Sequence, residues 1–414
     1  MDSGLARHHI ADAAVAGCKQ CSESFERDSL VRVVQASKSI SPPLFYAGGR
    51  SSRVWNINCF ELTSNALKPR ESRDWQYTKT PKKEAAMSAS ATQNKRDTMN
   101  AVVYDDYGDA NVLHSGVVPL PDRLPGQVMI DVQASSVNPI DYRIRSGEMK
   151  GLLPGGFPRV PGYDVSGMIA DCAADSPFKV GDRVIAFLDT MRGGASADFA
   201  VAAVDVTAAI PDSLSFNEAA AIPLAGTTAL QSLRDHGNIA EGKRVLINGA
   251  SGGVGMFAVQ IAKAFNCHVD AVASGDNEEY CRSLGADHFY DYEKTDFTES
   301  EERWDLIFDA AGKSGFWDVK KVLNDGGRYV STEPDAKGML MTLVTWPMSK
   351  SGTVMLAKPN ADDLRTLIEM REKGQLQITI DAIYPFSQLS RAHQHVENGV
   401  ERGKVVLTAD GSGL

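Results

Sequence analysis

The sequence predicts an α/β protein in which a parallel-sheet domain interrupts a β-rich one. Short strands with turn signals fill residues 99–222, and strand and helix patterns then alternate through residues 223–349. From about residue 350 the pattern returns to mixed strands, at Gln377–Ala382 and Lys404–Thr408. Regular short strands indicate a small barrel-like domain. Strand–helix alternation indicates a parallel sheet covered on both faces.

In the first part, Asn100–Tyr104 and Gln127–Ala134 read as strands on either side of a Pro- and Gly-containing connection. Val165–Ala170, Arg183–Phe187 and Ala197–Val201 are three more, and Gly181 with Asp182 forms the turn before the second of these. In the middle part, strands are expected at 244–248, 269–273, 305–309 and 327–331. The stretch from Arg244 to Gly255 is the most specific. Val245–Ile247 reads as a buried strand, a glycine-rich turn follows, and Val254–Phe265 has helical spacing with Phe257, Ile261 and Phe265 along one face. Strand, glycine turn and helix in that order place a pyrophosphate on a helix N-terminus. This defines a Rossmann dinucleotide-binding domain. Ser251, Gly252, Gly253 and Val254 are the expected phosphate contacts, and Ala250 replaces the first glycine of the usual G-x-G-x-x-G.

The second strand bears on cofactor choice. An NAD-type site holds the ribose with an acidic residue about 20 positions on, and that place falls at Ser274. A missing carboxylate removes repulsion against a 2′-phosphate, so NADP (NADPH) is expected. Asp276 is the competing residue, because it could turn toward the ribose and no Lys or Arg adjoins it in sequence.

Composition bounds the rest. The chain has 414 residues, 43% hydrophobic and 23% charged, enough for two domains. No apolar run is long enough to span a bilayer. A net charge of −10 argues against a nucleic-acid partner. The charge is uneven: residues 1–98 hold 15 Lys and Arg against 10 Asp and Glu, and the remainder 28 against 43. These first 98 residues lack periodicity and read as a disordered extension, or as an upstream part absent from a protein that starts at Met87 or Met99. Their Arg and Ser leave organelle targeting open, although Asp2, Asp12, Glu23, Glu26 and Asp28 depart from transit-peptide composition. Six scattered cysteines form no disulfide framework, and Cys18-x-x-Cys21 has no partner pair. A reducing compartment, the cytoplasm, is the expected location.

Several motifs then occur in a telling order. They are Ser136-Val-Asn-Pro-Ile-Asp-Tyr-Arg-Ile-Arg-Ser-Gly147, Pro161-Gly-Tyr-Asp-Val-Ser-Gly167, Val180-Gly-Asp-Arg-Val184, Gly226-Thr-Thr-Ala229, Ser283-Leu-Gly-Ala-Asp287 with Asp291-Tyr292, and Gly403-Lys-Val-Val-Leu407. Together they resemble the medium-chain dehydrogenase/reductase superfamily, and within it the zinc-lacking NADPH:quinone oxidoreductase group. The resemblance covers residues 99–410. It implies a GroES-like catalytic domain at 99–222 plus 350–414, with the Rossmann NADP-binding domain at 223–349 inserted. Zinc-dependent members use Cys in the first segment and Gly-His-Glu in the second. Here those segments offer Asn138, Pro139 and Asp141, then Tyr163 and Asp164, so no metal is expected.

The resemblance implies hydride transfer from NADPH to a small quinone or α,β-unsaturated carbonyl. An enoyl-thioester reductase and a cofactor-binding protein with little turnover stay open. Asn138 is expected as an active-site residue near the nicotinamide, hydrogen-bonding the cofactor or acceptor, against the alternative of a turn residue before Pro139. Tyr142 is a candidate proton donor, against a packing role, since relatives carry their Tyr one position later, where Arg143 stands. Thr228 is expected at a helix start, reaching the cofactor or capping the helix. Tyr292 is expected near the 2′-phosphate and Lys404 near the cofactor cleft, each against a plain surface role. Asp141 and Asp164 are read as structural. The apolar stretch Met339–Met355 could line a pocket or a dimer edge, which leaves a homodimer open.

Overall fold

The computed structural model describes residues 97–151, 153, 155–188, 193–333 and 336–409. The reading of residues 1–96 lies outside these. Asp97 and Thr98, assigned above to the extension, belong to the β-rich part. Thr98–Val103 pairs antiparallel with His114–Pro119, and the Asp97 carbonyl accepts from the Leu120 N–H.

The larger β-rich sheet has seven strands. Its order is Ile380–Pro385, Lys404–Thr408, Gln127–Val137, Asp164–Asp171, Arg183–Phe187 and Thr207–Ala209, with Phe199–Ala203 also pairing to Gln127–Val137. Val128, Ile130, Val132 and Ala134 alternate into the interior, the period of two that a half-buried strand requires. The strand runs past its expected end at Ala134 because Ser135 and Ser136 pair on both sides, with Asp164–Val165 and with Val406–Leu407, and Val137 pairs with Val405. That continuation carries the chain to Asn138. Phe199–Ala203 sits slightly later than the expected Ala197–Val201. The shift is an even number of residues, so Ala200 and Ala202 still face inward.

The parallel sheet has six strands in the order His288–Asp291, His268–Ala273, Arg244–Asn248, Trp304–Asp309, Leu323–Ser331 and Ser351–Val354. This is the doubly wound order, with its switch point beside Arg244–Asn248. The last strand corrects the expected domain boundary at residue 349. Arg328–Ser331 pairs in register with Ser351–Val354, so the nucleotide domain extends through Val354. One face of the sheet packs Val245, Ile247 and Phe308 against Phe257 and Ile261 of helix Gly253–Ala264. The other packs Leu246 and Ile307 around Trp304 and Tyr329. Each such large side chain contributes about 1.5–3 kcal/mol on burial, which holds the glycine turn on a rigid frame.

Candidate active site

The glycine turn is a close fold of backbone on backbone. A Cβ at Gly255 would stand 2.0 Å from the Gly249 carbonyl oxygen, so only glycine fits where the helix meets the turn. Gly252 caps helix Gly253–Ala264 without a side-chain partner for the first N–H groups. A Cβ there would meet only the Gly249 oxygen, at 3.5 Å. Open space before unpartnered helix N–H groups fits a pyrophosphate, so these residues fit the phosphates of a dinucleotide.

Two consecutive residues, Gly403 and Lys404, bind the closing strand to this turn. The Gly403 N–H donates to the Ser251 carbonyl at 3.0 Å. The Lys404 side chain lies against Gly253, whose added Cβ would come within 2.8 Å of the lysine Cδ. Lys404 Nζ then donates to Asn138 Oδ1 and, at 3.2 Å, to the Val137 carbonyl. Asn138 Nδ2 donates to Asp164 Oδ2 at 2.8 Å, and Ser136 Oγ donates to the same oxygen. Asp164 Oδ1 accepts from the Leu224 N–H at 2.7 Å. Asp141 Oδ2 accepts from the Asn138 N–H at 2.6 Å, closing a capping box at the start of helix Pro139–Ser146.

This network is buried: Asn138 is 1% exposed and Lys404 4%. Burial pushes the Asp141 carboxyl up to about 7, with Asp164 adding to the rise and the Asn138 N–H and Lys404 opposing it. Burial also lowers the Lys404 ammonium from its ordinary value, while Asp164 and Asp141 pull it back. The sequence signal for Asp164 is a carboxylate opening a strand of mostly small and apolar residues, where an unpaired charge is costly.

The structure thus gathers Asn138, Ser251, Gly252, Gly253 and Lys404 at one place, with Val254 in the first turn of the helix behind them. Tyr142 is half-buried on the Asn138 helix and makes none of the network's hydrogen bonds. Of the two readings of Thr228, the structure removes the helix cap: the helix spans Pro223–Gln231, so Thr228 is interior to it. Ser274 follows strand His268–Ala273, and the exposed Tyr292 lies beside it, its N–H donating to the Ala273 carbonyl at 3.2 Å.

No Lys or Arg adjoins Asp276 in sequence, but the fold brings two cations to its turn. Arg402 Nη2 donates to the Asp276 carbonyl at 2.8 Å, and its Nε donates to Asn277 Oδ1 at 2.7 Å. Asn277 Nδ2 in turn donates to Ser274 Oγ at 2.9 Å. Lys294 Nζ lies 3.4 Å from the place of a Gly275 Cβ and pairs with Asp291 at 2.7 Å. Arg402 comes from distant sequence and Lys294 from just beyond Tyr292, which a reading along the second strand does not reach.

On the carboxyl edge of the parallel sheet lies a cavity of about 480 Å³. Phe316, Trp317, Tyr329, Leu340, Met341 and Val344 give it an apolar wall. Within the apolar stretch Met339–Met355, helix Ala336–Thr345 turns Met341 inward and leaves Met339, Leu343 and Trp346 exposed.

Known proteins show the same organisation. The alcohol dehydrogenase GroES-like domain matches residues 124–212, and the zinc-binding dehydrogenase family matches residues 284–407. The chain is 33% identical over 322 residues to a chloroplast envelope quinone oxidoreductase homolog of Arabidopsis thaliana, covering 75% of this chain and 98% of the relative. It is 33% identical over 374 residues to the mitochondrial NAD(P)H oxidoreductase RTN4IP1 of Bos taurus, covering 78% and 93%. The solved structure of the quinone oxidoreductase from Coxiella burnetii superposes with a TM-score of 0.68 at 30% identity, covering 75% of this chain and 99% of that one. A Rossmann domain set into a GroES-like domain, with this glycine turn, defines a nicotinamide-dependent oxidoreductase. The chain belongs to the medium-chain dehydrogenase/reductase superfamily, in its quinone oxidoreductase-like group. Both curated relatives carry an organelle in their names, where the sequence reading favoured the cytoplasm. Among the described residues no helix is long and apolar enough to cross a membrane.

Proposed function

We propose that this protein reduces a small quinone or α,β-unsaturated carbonyl with NADPH and without a metal ion. The observation that carries this reading is the Lys404–Asn138–Asp164 network braced against the glycine turn. It occupies the two segments where zinc-dependent members keep their ligands. The Asn138 amide is engaged at both ends, and residues 284–407 contain no cysteine. When bound, a reduced nicotinamide supplies the hydride. A conjugated acceptor carries its own electron sink, so the chain's task is to orient, to exclude water and to supply a proton.

Burial supports a positioning role for Asn138 and Lys404, which fix helix Pro139–Ser146 and the closing strand against the turn. Tyr142 on that helix is the phenol proposed to deliver the proton. NADPH is favoured over NADH because Ser274 offers no carboxylate and because the Arg402 guanidinium touches that turn, where Lys294 is paired with Asp291. The relatives' names support an organelle location, with residues 1–96 as the directing segment; the compartment reached by that segment fused to a fluorescent protein tests it.

Following NADPH absorbance with quinones, enals and enoyl thioesters tests the activity. Turnover with quinones or enals, unchanged by chelators, is expected. NADPH binding without turnover on any acceptor would make the protein a binder. Stoichiometric zinc whose removal abolishes activity would overturn the metal-free reading, and NADH binding as tightly as NADPH would overturn the cofactor choice.

A further inference from the structure

Arg143 and Glu333 meet across the cleft. Arg143 lies on helix Pro139–Ser146, which Asn138 opens, and Glu333 follows strand Leu323–Ser331 at the carboxyl edge of the parallel sheet. Arg143 Nη1 donates to Glu333 Oε1 and Nη2 to Oε2, each at 2.9 Å. The partners are 190 residues apart, so the fork links the two domains and is not a local helix contact. Two parallel charge-assisted bonds fix the guanidinium plane and engage both carboxylate oxygens. The side chains are 31% and 39% exposed, within reach of solvent and ligand. Glu333 also lines the apolar cavity described above, whose other charged lining residue is Lys337. A second carboxylate, Glu148, stands 3.9 Å from Arg143 Nε and is outside the cavity lining.

We propose that Glu333 sets acceptor specificity by neutralising Arg143 at the rim of this cavity, so that the site takes uncharged quinones and enones and rejects acceptors bearing a carboxylate or phosphate. The inference rests on the hydride-transfer reading above. Without Glu333 the guanidinium would be an open anion fork beside an apolar cavity. With it, an incoming anion meets a carboxylate and finds the fork already taken. Specificity then comes from a repulsive element as much as from an attractive one.

The test uses two ketones that differ by one charge, phenyl vinyl ketone and trans-3-benzoylacrylate, with NADPH and the full chain. Wild type should favour the neutral ketone. Glu333→Gln should raise kcat/KM for the carboxylate-bearing ketone about tenfold, while the neutral one changes less than about threefold. Adding Arg143→Met to that variant should erase the gain. Arg143→Met alone should lower use of the anionic ketone below wild type, because Glu333 is left unpaired. Glu148→Gln removes the same charge from the same arginine outside the cavity and should leave the ratio unchanged. A ratio that does not move in Glu333→Gln, or a gain that survives loss of Arg143, overturns the specificity. If wild type oxidises NADPH with neither ketone nor any quinone, the reduction reading fails and takes the specificity with it.

Discussion

Asp141 is a buried carboxylate whose proton is retained far above the usual range. Its folded pKa, about 7, lies above the unfolded value of about 3.9. Between those values the folded state binds the proton more often than the unfolded state does, so Asp141's contribution to stability falls as pH rises through that window and is flat outside it. Asp141→Asn keeps an acceptor for the Asn138 N–H and removes the titration. Denaturant unfolding should therefore show wild type losing stability relative to the variant from pH 5 to pH 8, on the order of a few kcal/mol at most. A pH-independent difference would show that Asp141 does not titrate in this way. At this scale the sequence was only partly legible. Asn138 and Lys404 stand out from motif position and Asp164 reads as structural, as its hydrogen bonds show, but the bonds that join the three link residues far apart in sequence. Residue type says that a buried charge needs a partner; it does not say which one.

The segment Arg402–Lys404 acts as one element along the cofactor site. Arg402 touches the turn after the second parallel strand, Gly403 bonds to the glycine turn, and Lys404 reaches Asn138. Gly403 makes this possible: its φ is +69°, and an added Cβ would stand 2.1 Å from the Thr379 carbonyl oxygen. Gly374 has a similar φ, +71°, with nothing near its Cβ position, so it isolates the conformational part. Gly374→Ala should cost about 1 kcal/mol. Gly403→Ala should cost clearly more in thermal unfolding and should also weaken NADPH binding; equal costs would mean that the segment relaxes freely. Arg402→Gln should weaken NADPH by roughly tenfold and leave NADH within about twofold, as loss of one charge beside a phosphate implies. Equal loss for both cofactors in titration calorimetry would move Arg402 away from the 2′ position. Elements with strong periodicity, such as strand Arg244–Asn248 and the helix after it, were readable from sequence almost to the residue. Thr228 was misplaced because Pro223, a first-turn residue, had already begun the helix.

For the whole molecule, alternation of strand and helix announced the inserted parallel sheet, but composition could not mark its edges. Ser351–Val354 is too short and too polar to read as a sheet strand, and only its pairing with Arg328–Ser331 shows that it is one. The N-terminal edge has the same character. Asp97 and Thr98 look like the polar extension before them, yet they pair with Leu120 and Pro119. A chain shortened to begin at Asp97 should therefore keep its unfolding free energy within about 0.5 kcal/mol and its turnover unchanged, since it retains the whole first strand. A chain shortened to begin at Tyr104 loses Thr98–Val103. That strand buries Met99, Ala101 and Val103 against Val118 and Ala197, and turns Val102 into the main β-rich core. Met99, Val102 and Val103 each contribute about 1.5–3 kcal/mol, so this chain should be destabilised by roughly 5 kcal/mol or more, and the unpaired edge left on His114–Pro119 should promote aggregation. Unfolding of both shortened chains beside the full one checks the boundary. If the chain from Asp97 melts well below the full chain, residues before it pack on the fold; if the chain from Tyr104 melts like wild type, the first strand contributes nothing to the core.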